Sequence, residues 1–133
     1  MKTVNTSGKR KRAVARATLT QGSGIIRVNN TLIEHYQPAI MKMKLMEPLL
    51  LADEISGKVD VEIDVRGGGI TSQTDAARLA MAKALVEYSK NDKLKAKFSD
   101  YDWSLLVADV RRKETRKPNR HGKARAKVQK SYR

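Results

Sequence analysis

Cysteine is absent, which excludes disulfide frameworks, thiolate zinc sites and thiol catalysis and fits an intracellular protein. Long apolar runs are missing too. The longest bulky stretch, PLLLA from Pro48 to Ala52, is far shorter than a membrane span, and the N-terminus lacks a signal-peptide apolar region. The sequence therefore predicts a soluble, unexported chain. Histidine is scarce: His35 and His121 are the only two, and neither stands with Cys, Asp or Glu at metal-ligand spacing. No Ser-His-Asp or Cys-His arrangement can be assembled, and no pair of carboxylates differs from a solvated surface. These absences predict no catalytic residue, no metal and no cofactor. Acidic residues are missing from positions 1–16, and only Glu114 occurs among positions 111–133.

Positive charge fills those ends. The formal net charge is +14, from 28 Lys and Arg against 14 Asp and Glu. Residues 1–16 hold six basic side chains and residues 111–133 hold eleven, whereas residues 17–110 hold 11 basic and 13 acidic ones. A length of 133 residues suits a single core, so the sequence divides into a globular body, 1–110, and an extended basic tail, 111–133. The tail has one Val and two Ala, too little apolar surface to offset the entropy of ordering its backbone. Its like charges repel one another in any compact state, which calls for a polyanionic partner. A basic helix lying on a membrane needs an apolar face, and the tail has none. Nucleic acid fits better.

Within the body, RAVARATLTQGSGIIRVNN, Arg12 to Asn30, reads as two strands joined by the loop Gly22-Ser23-Gly24. Ala13, Ala15, Ala17 and Leu19 share one face of the first strand; the alanines either admit a closely packed neighbour or serve as neutral filler. From Tyr36 to Ile55 the pattern is helical, with Pro48 starting a second short helix and Met41, Met43 and Met46 filling the core. In VDVEIDVR, Val59 to Arg66, apolar and charged residues alternate strictly, which predicts a strand with one buried and one wet face in a mixed or antiparallel sheet covered by helices on one side. The alternation accounts for Asp60, Glu62 and Asp64 without a site.

A glycine turn, Gly67-Gly68-Gly69, then leads into a long helix that the Ser72/Asp75 spacing starts just after Ser72. Ala77, Ala80, Met81, Ala84, Leu85 and Tyr88 make its broad apolar side, while Leu79 and Val86 fall among the charges, so it is covered on more than one side. A short charged helix follows in DKLKAKFS, and LLVADV reads as a final strand.

Exposed N–H groups at Gly67, Gly68 and Gly69 offer a possible phosphate contact, or the glycines form only a tight turn with positive φ. The GK[ST] of a nucleotide-binding loop does not follow. At the N-terminal end GKRKR, Gly8 to Arg12, leads into a strand, and this continuity favours display to nucleic acid over a localisation signal. The tail instead reaches, by at most about 75–80 Å if fully extended. Mobile Lys and Arg find phosphates, which position without specifying sequence, and Gly122, Ala124 and Ala126 suit a backbone threaded through a narrow RNA channel.

SGKRKRAVARATL, GSGIIRVNN, MEPLLLA, VDVEIDVRGGGITSQTDAARLAMAKALVEYS and RRKETRKPNRHGKARAKVQKSYR occur in this order over nearly the whole chain. Together they resemble the universal family of the ninth protein of the small ribosomal subunit, in its archaeal and eukaryotic form. The resemblance implies an α+β fold in which a mixed sheet packs with helices, of the type in the second domain of the fifth small-subunit protein, plus an extended basic C-terminal tail. It further implies a cytoplasmic, non-enzymatic constituent of the small subunit that is not a homo-oligomer and has no membrane partner.

The partners it implies are ribosomal RNA of the subunit head, neighbouring head proteins and the anticodon stem-loop of P-site tRNA. Carried over residue by residue, Lys9, Arg10, Lys11, Arg12, Arg111, Arg112, Lys117, Arg120, Lys123, Arg125 and Lys127 would face ribosomal RNA, and Lys130, Tyr132 and Arg133 would contact the tRNA. Tyr132 stands where bacterial members often have a basic residue, and Val128 where the family often has an aromatic. On the residues alone two rivals compete. Charge segregation also allows a free architectural nucleic-acid binder; a small phosphotransferase is disfavoured by the missing Lys and acidic Mg ligands.

Overall fold

The computed structural model describes residues 2–120, 124 and 125. Five strands, β1 (Thr3–Arg10), β2 (Ala13–Gln21), β3 (Ile26–Val28), β4 (Thr31–Leu32) and β5 (Val59–Arg66), form one sheet in the order β1-β2-β5-β3-β4. All neighbours are antiparallel except β3 and β5, which run parallel. Four helices accompany it: α1 (Ala39–Leu51), α2 (Asp53–Ser56), α3 (Ile70–Ser89) and α4 (Asp92–Tyr101), with 3-10 turns at Ile33–His35 and Trp103–Leu105. This is the expected α+β class, a mixed sheet packed with helices.

The alternation in β5 sets the two faces. Val59, Val61, Ile63 and Val65 are buried and their charged neighbours point outward. In β2 the residues Ala13, Ala15, Ala17 and Leu19 are buried on the same side, where α3 lies across β1, β2 and β5. Here the small side chains admit a close neighbour. The contact is tightest at Gly8 of β1, where a Cβ would stand 2.4 Å from the Ala76 carbonyl oxygen and 2.8 Å from the Ala80 nitrogen. Beside it the Thr6 hydroxyl donates to the Ala80 carbonyl over 2.7 Å. Helix and strand are thus joined at backbone distance.

The other side of α3 packs on α1, α4 and the turn at Trp103–Leu105. Leu79 is therefore buried along with Ala77, Ala80, Met81, Ala84 and Leu85, and the helix is covered on two sides as its pattern predicts. Phe98, Leu45 and Leu105 complete this second layer, each fully buried and each worth about 1.5–3 kcal/mol of transfer free energy.

The two strands expected on either side of Gly22-Ser23-Gly24 form, as β2 and β3, and β5 inserts between them in the sheet. The Asp60 carboxylate organises that loop, accepting from the N–H groups of Ser23, Gly24 and Ile25 at 2.9, 3.1 and 2.9 Å. These bonds, that of Ile25 foremost, hold the Asp60 pKa below its ordinary value. Pro48 does not start a helix. It lies inside α1, in the final turn, where only one helical hydrogen bond is lost and its buried ring fills the core. Met43 is exposed and Met41 and Met46 are half-buried, so the methionines are a partial core at most.

Helix α3 begins at Ile70, not after Ser72, and no side chain caps it. Asp75 turns instead to Lys44 at 2.5 Å and Arg10 at 3.8 Å. LLVADV forms no strand: Leu105 ends the 3-10 turn, and no helix or strand follows among the described residues. No helix of the described residues is long and apolar enough to cross a membrane.

Candidate nucleic-acid interface

Three separate segments build one cationic cleft. The β1–β2 hairpin turns at Lys11 and Arg12 and pairs along its whole length from Arg10↔Ala13 to Thr3↔Thr20. Its turn therefore projects at a fixed height above the sheet end. Lys11 sits at φ 53°, a left-handed conformation that glycine or asparagine adopts with less strain. Against this turn lies the glycine loop between β5 and α3. Gly67 and Gly68 have φ of 78° and 65°, and a Cβ on Gly67 would stand 2.6 Å from the Arg12 carbonyl oxygen. Positive φ and close approach together account for these two glycines, whereas Gly69 is the N-cap of α3 at φ −104°.

The third segment is the chain from Arg111 to Arg116. With Arg10, Lys11, Arg12, Gly68, Gly69 and Ser72 it encloses an open cleft of about 1110 Å³. Seven cationic side chains and one carboxylate, Glu114, line it. No acidic side chain lies in the first turn of α3, so its positive end adds to the same field.

Asp109 fixes where this third segment leaves the body. It accepts from the Arg111 guanidinium at 2.7–3.2 Å and from the Arg111 backbone N–H at 2.9 Å, and lies 3.2 Å from Arg10 Nη1. The Arg111 side chain, then its backbone N–H, holds the Asp109 carboxyl far below the usual carboxylate range, and Asp109 in turn raises the Arg111 pKa. Arg112 donates to the Asp109 and Arg111 carbonyls at 3.0 and 3.1 Å. The exit of the tail is therefore held by hydrogen bonds at an otherwise exposed surface.

The sequence-predicted residues distribute unevenly over this geometry. Arg10, Lys11, Arg12, Arg111 and Arg112 come together in the cleft with Gly68 and Gly69. Lys9 is exposed one residue earlier on β1, and Lys117 and Arg120 are exposed further along the chain. Arg10 is mostly covered and shared between Asp75 and Asp109. Arg125 reaches back to Glu114 through its Nε at 2.9–3.1 Å, which lowers the Glu114 pKa. Lys123, Lys127, Lys130, Tyr132 and Arg133 lie outside the described residues.

Sequence reasoning missed Lys113 and Arg116, which line the cleft with the others. It also missed Arg78, a buried cation on α3 whose guanidinium meets Glu47 of α1 and, at 3.3 Å, Asp102. Burial raises the Asp102 pKa, but bonds from the Ser104 hydroxyl and N–H and from Arg78 outweigh it and leave the pKa lowered. This cluster ties α3 to α1 and to the turn after α4. No group of His, Asp or Glu able to hold a metal ion occurs among the described residues.

The chain is 54% identical to the small ribosomal subunit protein uS9 of Methanococcus vannielii over 134 residues, covering all of both chains. It is 49% identical to the protein of the same name from Methanothrix thermoacetophila over 133 residues, again covering all of both. The family described as Ribosomal protein S9/S16 matches residues 8–133, a span that includes the hairpin turn, the glycine loop and the tail. The chain belongs to the ribosomal protein S9/S16 family.

Proposed function

We propose that the cationic cleft seats ribosomal RNA of the small-subunit head and that the tail beyond it, 111–133, carries Lys130, Tyr132 and Arg133 to the anticodon stem-loop of P-site tRNA. As a family member the chain is a structural constituent of the small ribosomal subunit, partnered with ribosomal RNA and neighbouring ribosomal proteins, and is not an enzyme. The observation that carries the finer reading is the convergence of Arg10–Arg12, Gly68–Gly69 and Arg111–Arg116 on one cleft. These segments are remote in sequence, and together they set seven cationic side chains against one carboxylate. Such a surface attracts a phosphate backbone.

Strain supports the same assignment. A lysine held at φ 53° costs about 1–2 kcal/mol relative to a right-handed conformation, and its side chain stands in the cleft. Within the cleft, Lys11, Arg12, Arg112, Lys113 and Arg116 make the phosphate contacts. Arg10 and Arg111 position the tail exit through Asp109, and Lys9, Lys117, Arg120, Lys123, Arg125 and Lys127 extend the RNA-facing track. The tRNA reading rests on the family resemblance of the last residues and on the tail's length.

Reconstituted small subunits test it. Removing Lys130–Arg133 weakens P-site tRNA binding and leaves assembly intact. Unchanged tRNA affinity across salt concentrations would refute the tail's role.

A further inference from the structure

Trp103 is the only tryptophan in the sequence, and 62% of it is exposed. It opens the 3-10 turn after α4 and lines a groove of about 700 Å³ that adjoins the cationic cleft and shares Arg10 and Arg111 with it. Leu79 and Val107 give the groove apolar surface, and Lys9 and Lys44 stand among its polar lining. Five cationic side chains line it against three carboxylates. Each carboxylate already has a cation: Asp75 has Lys44, Asp102 has Arg78, and Asp109 has Arg111 and Arg10. What faces solvent is thus an indole and apolar surface within an excess of positive charge.

We infer that this groove takes an unpaired nucleobase of the RNA, stacked on the Trp103 ring, while Lys9 holds a flanking phosphate. The inference rests on the assignment of the adjoining cleft to ribosomal RNA. An aromatic face beside cations is how single-stranded RNA is held, because every base offers a π-face and every linkage a charge. A duplex keeps its bases stacked on one another and offers the ring nothing. Charge decides against an apolar protein segment, which would cover the indole but leave the excess cations without anions. Continuity with the cleft points the same way: a strand leaving one groove enters the other past Arg10 and Arg111.

The absence of a second tryptophan makes the test direct. The full chain is titrated, at one salt concentration, with a single-stranded RNA oligonucleotide, a blunt RNA duplex and inorganic polyphosphate, while Trp103 fluorescence is read. The single strand quenches it strongly, and the duplex and polyphosphate do not. Trp103→Ala weakens single-strand binding roughly 5- to 150-fold with an unchanged log-log salt slope, and Trp103→Tyr restores most of the affinity. Equal fluorescence changes with polyphosphate, or wild-type affinity of Trp103→Ala, would overturn the inference.

If Trp103→Ala is silent while Arg12→Ala weakens binding, stacking is wrong and the cleft stands; if both are silent, both fall. A Trp103 crosslink to a protein instead of RNA in irradiated small subunits overturns it too. Should Trp103→Ala melt at a lower temperature, the fluorescence of the unaltered chain decides.

Discussion

Replacing Gly8 by alanine tests the close contact that places the basic hairpin. In an ordinary strand this change is favourable by about 0.5–1 kcal/mol, since glycine loses more backbone freedom on folding. Here the new Cβ would lie 2.4 Å from the Ala76 carbonyl oxygen, where ordinary contacts begin at 3.4 Å, so β1 and α3 must part by about 1 Å. Both atoms nearest the new Cβ are backbone, with no flexible side chain to give way. A gap of that size forfeits a quarter to a half of each dispersion contact across it. It also stretches the bond from Thr6 to Ala80.

Overpacking costs about 1–3 kcal/mol, and with backbone on both sides the upper end applies. For a chain of this size that is a fall in melting temperature of about 10 °C. Calorimetric melting of the isolated chain reads it, with Ser7→Ala, an exposed neighbour on β1, as the control. The displacement also moves Lys11 and Arg12 away from Gly68, so RNA affinity falls with stability. If Gly8→Ala melts within about 2 °C of the unaltered chain, the backbone contact is not as described and the hairpin is not positioned by it.

Substitutions at three further positions test other contacts. Lys11→Asn relieves the left-handed strain, so melting temperature is unchanged or higher while the log-log salt slope of RNA binding becomes shallower by about 0.7 to 0.9; an unchanged slope would remove Lys11 from the interface. Arg78→Ala lowers stability by about 2–3 kcal/mol in urea denaturation, less than the loss of a fully buried pair because Glu47 and Asp102 keep a third of their surface in water. Arg78→Met costs less, since the side chain's packing remains. Asp60→Ala destabilises the chain at neutral pH through loss of the Ser23–Ile25 loop bonds. Because folding lowers the Asp60 pKa, the stabilisation is full above the unfolded value near 4 and is lost as pH falls through the folded value. Denaturation curves of the two proteins therefore converge toward acid; a constant gap would exclude the carboxylate charge.

How much of this was readable before the structure depended on how locally each feature is encoded. β5 was fully readable, since burial on one face and water on the other write a period of two directly into VDVEIDVR. The change of charge at Arg111 is likewise written in residue type alone. β1 was not readable, because the residues it turns toward α3 are Val4, Thr6, Gly8 and Arg10, only one of them a bulky apolar side chain. The insertion of β5 between β2 and β3 is a non-local pairing, and the glycine loop that joins the two strands looks like a hairpin in sequence. Proline's usual place in a first turn hid the continuity of α1 through Pro48.

The cleft was half visible. Its glycine loop and its basic ends could be named from residue type, but their meeting depends on strand order. Arg78 resembled any charge on a helix surface, because nothing in its neighbours announces that α1 and the turn after α4 will cover it. Asp109 sat in a stretch whose apolar residues suggested a strand, and its role depends on Arg10, some hundred positions earlier.

The central claim is that the hairpin turn and the start of the tail form one RNA-binding cleft, and residue-resolved protein–RNA crosslinking in intact small subunits tests it most directly. Lys11 and Lys113 should crosslink to nucleotides adjacent in one ribosomal RNA segment. Crosslinks from these two lysines to separate, distant RNA helices, or an absence of RNA crosslinks at both, would contradict it.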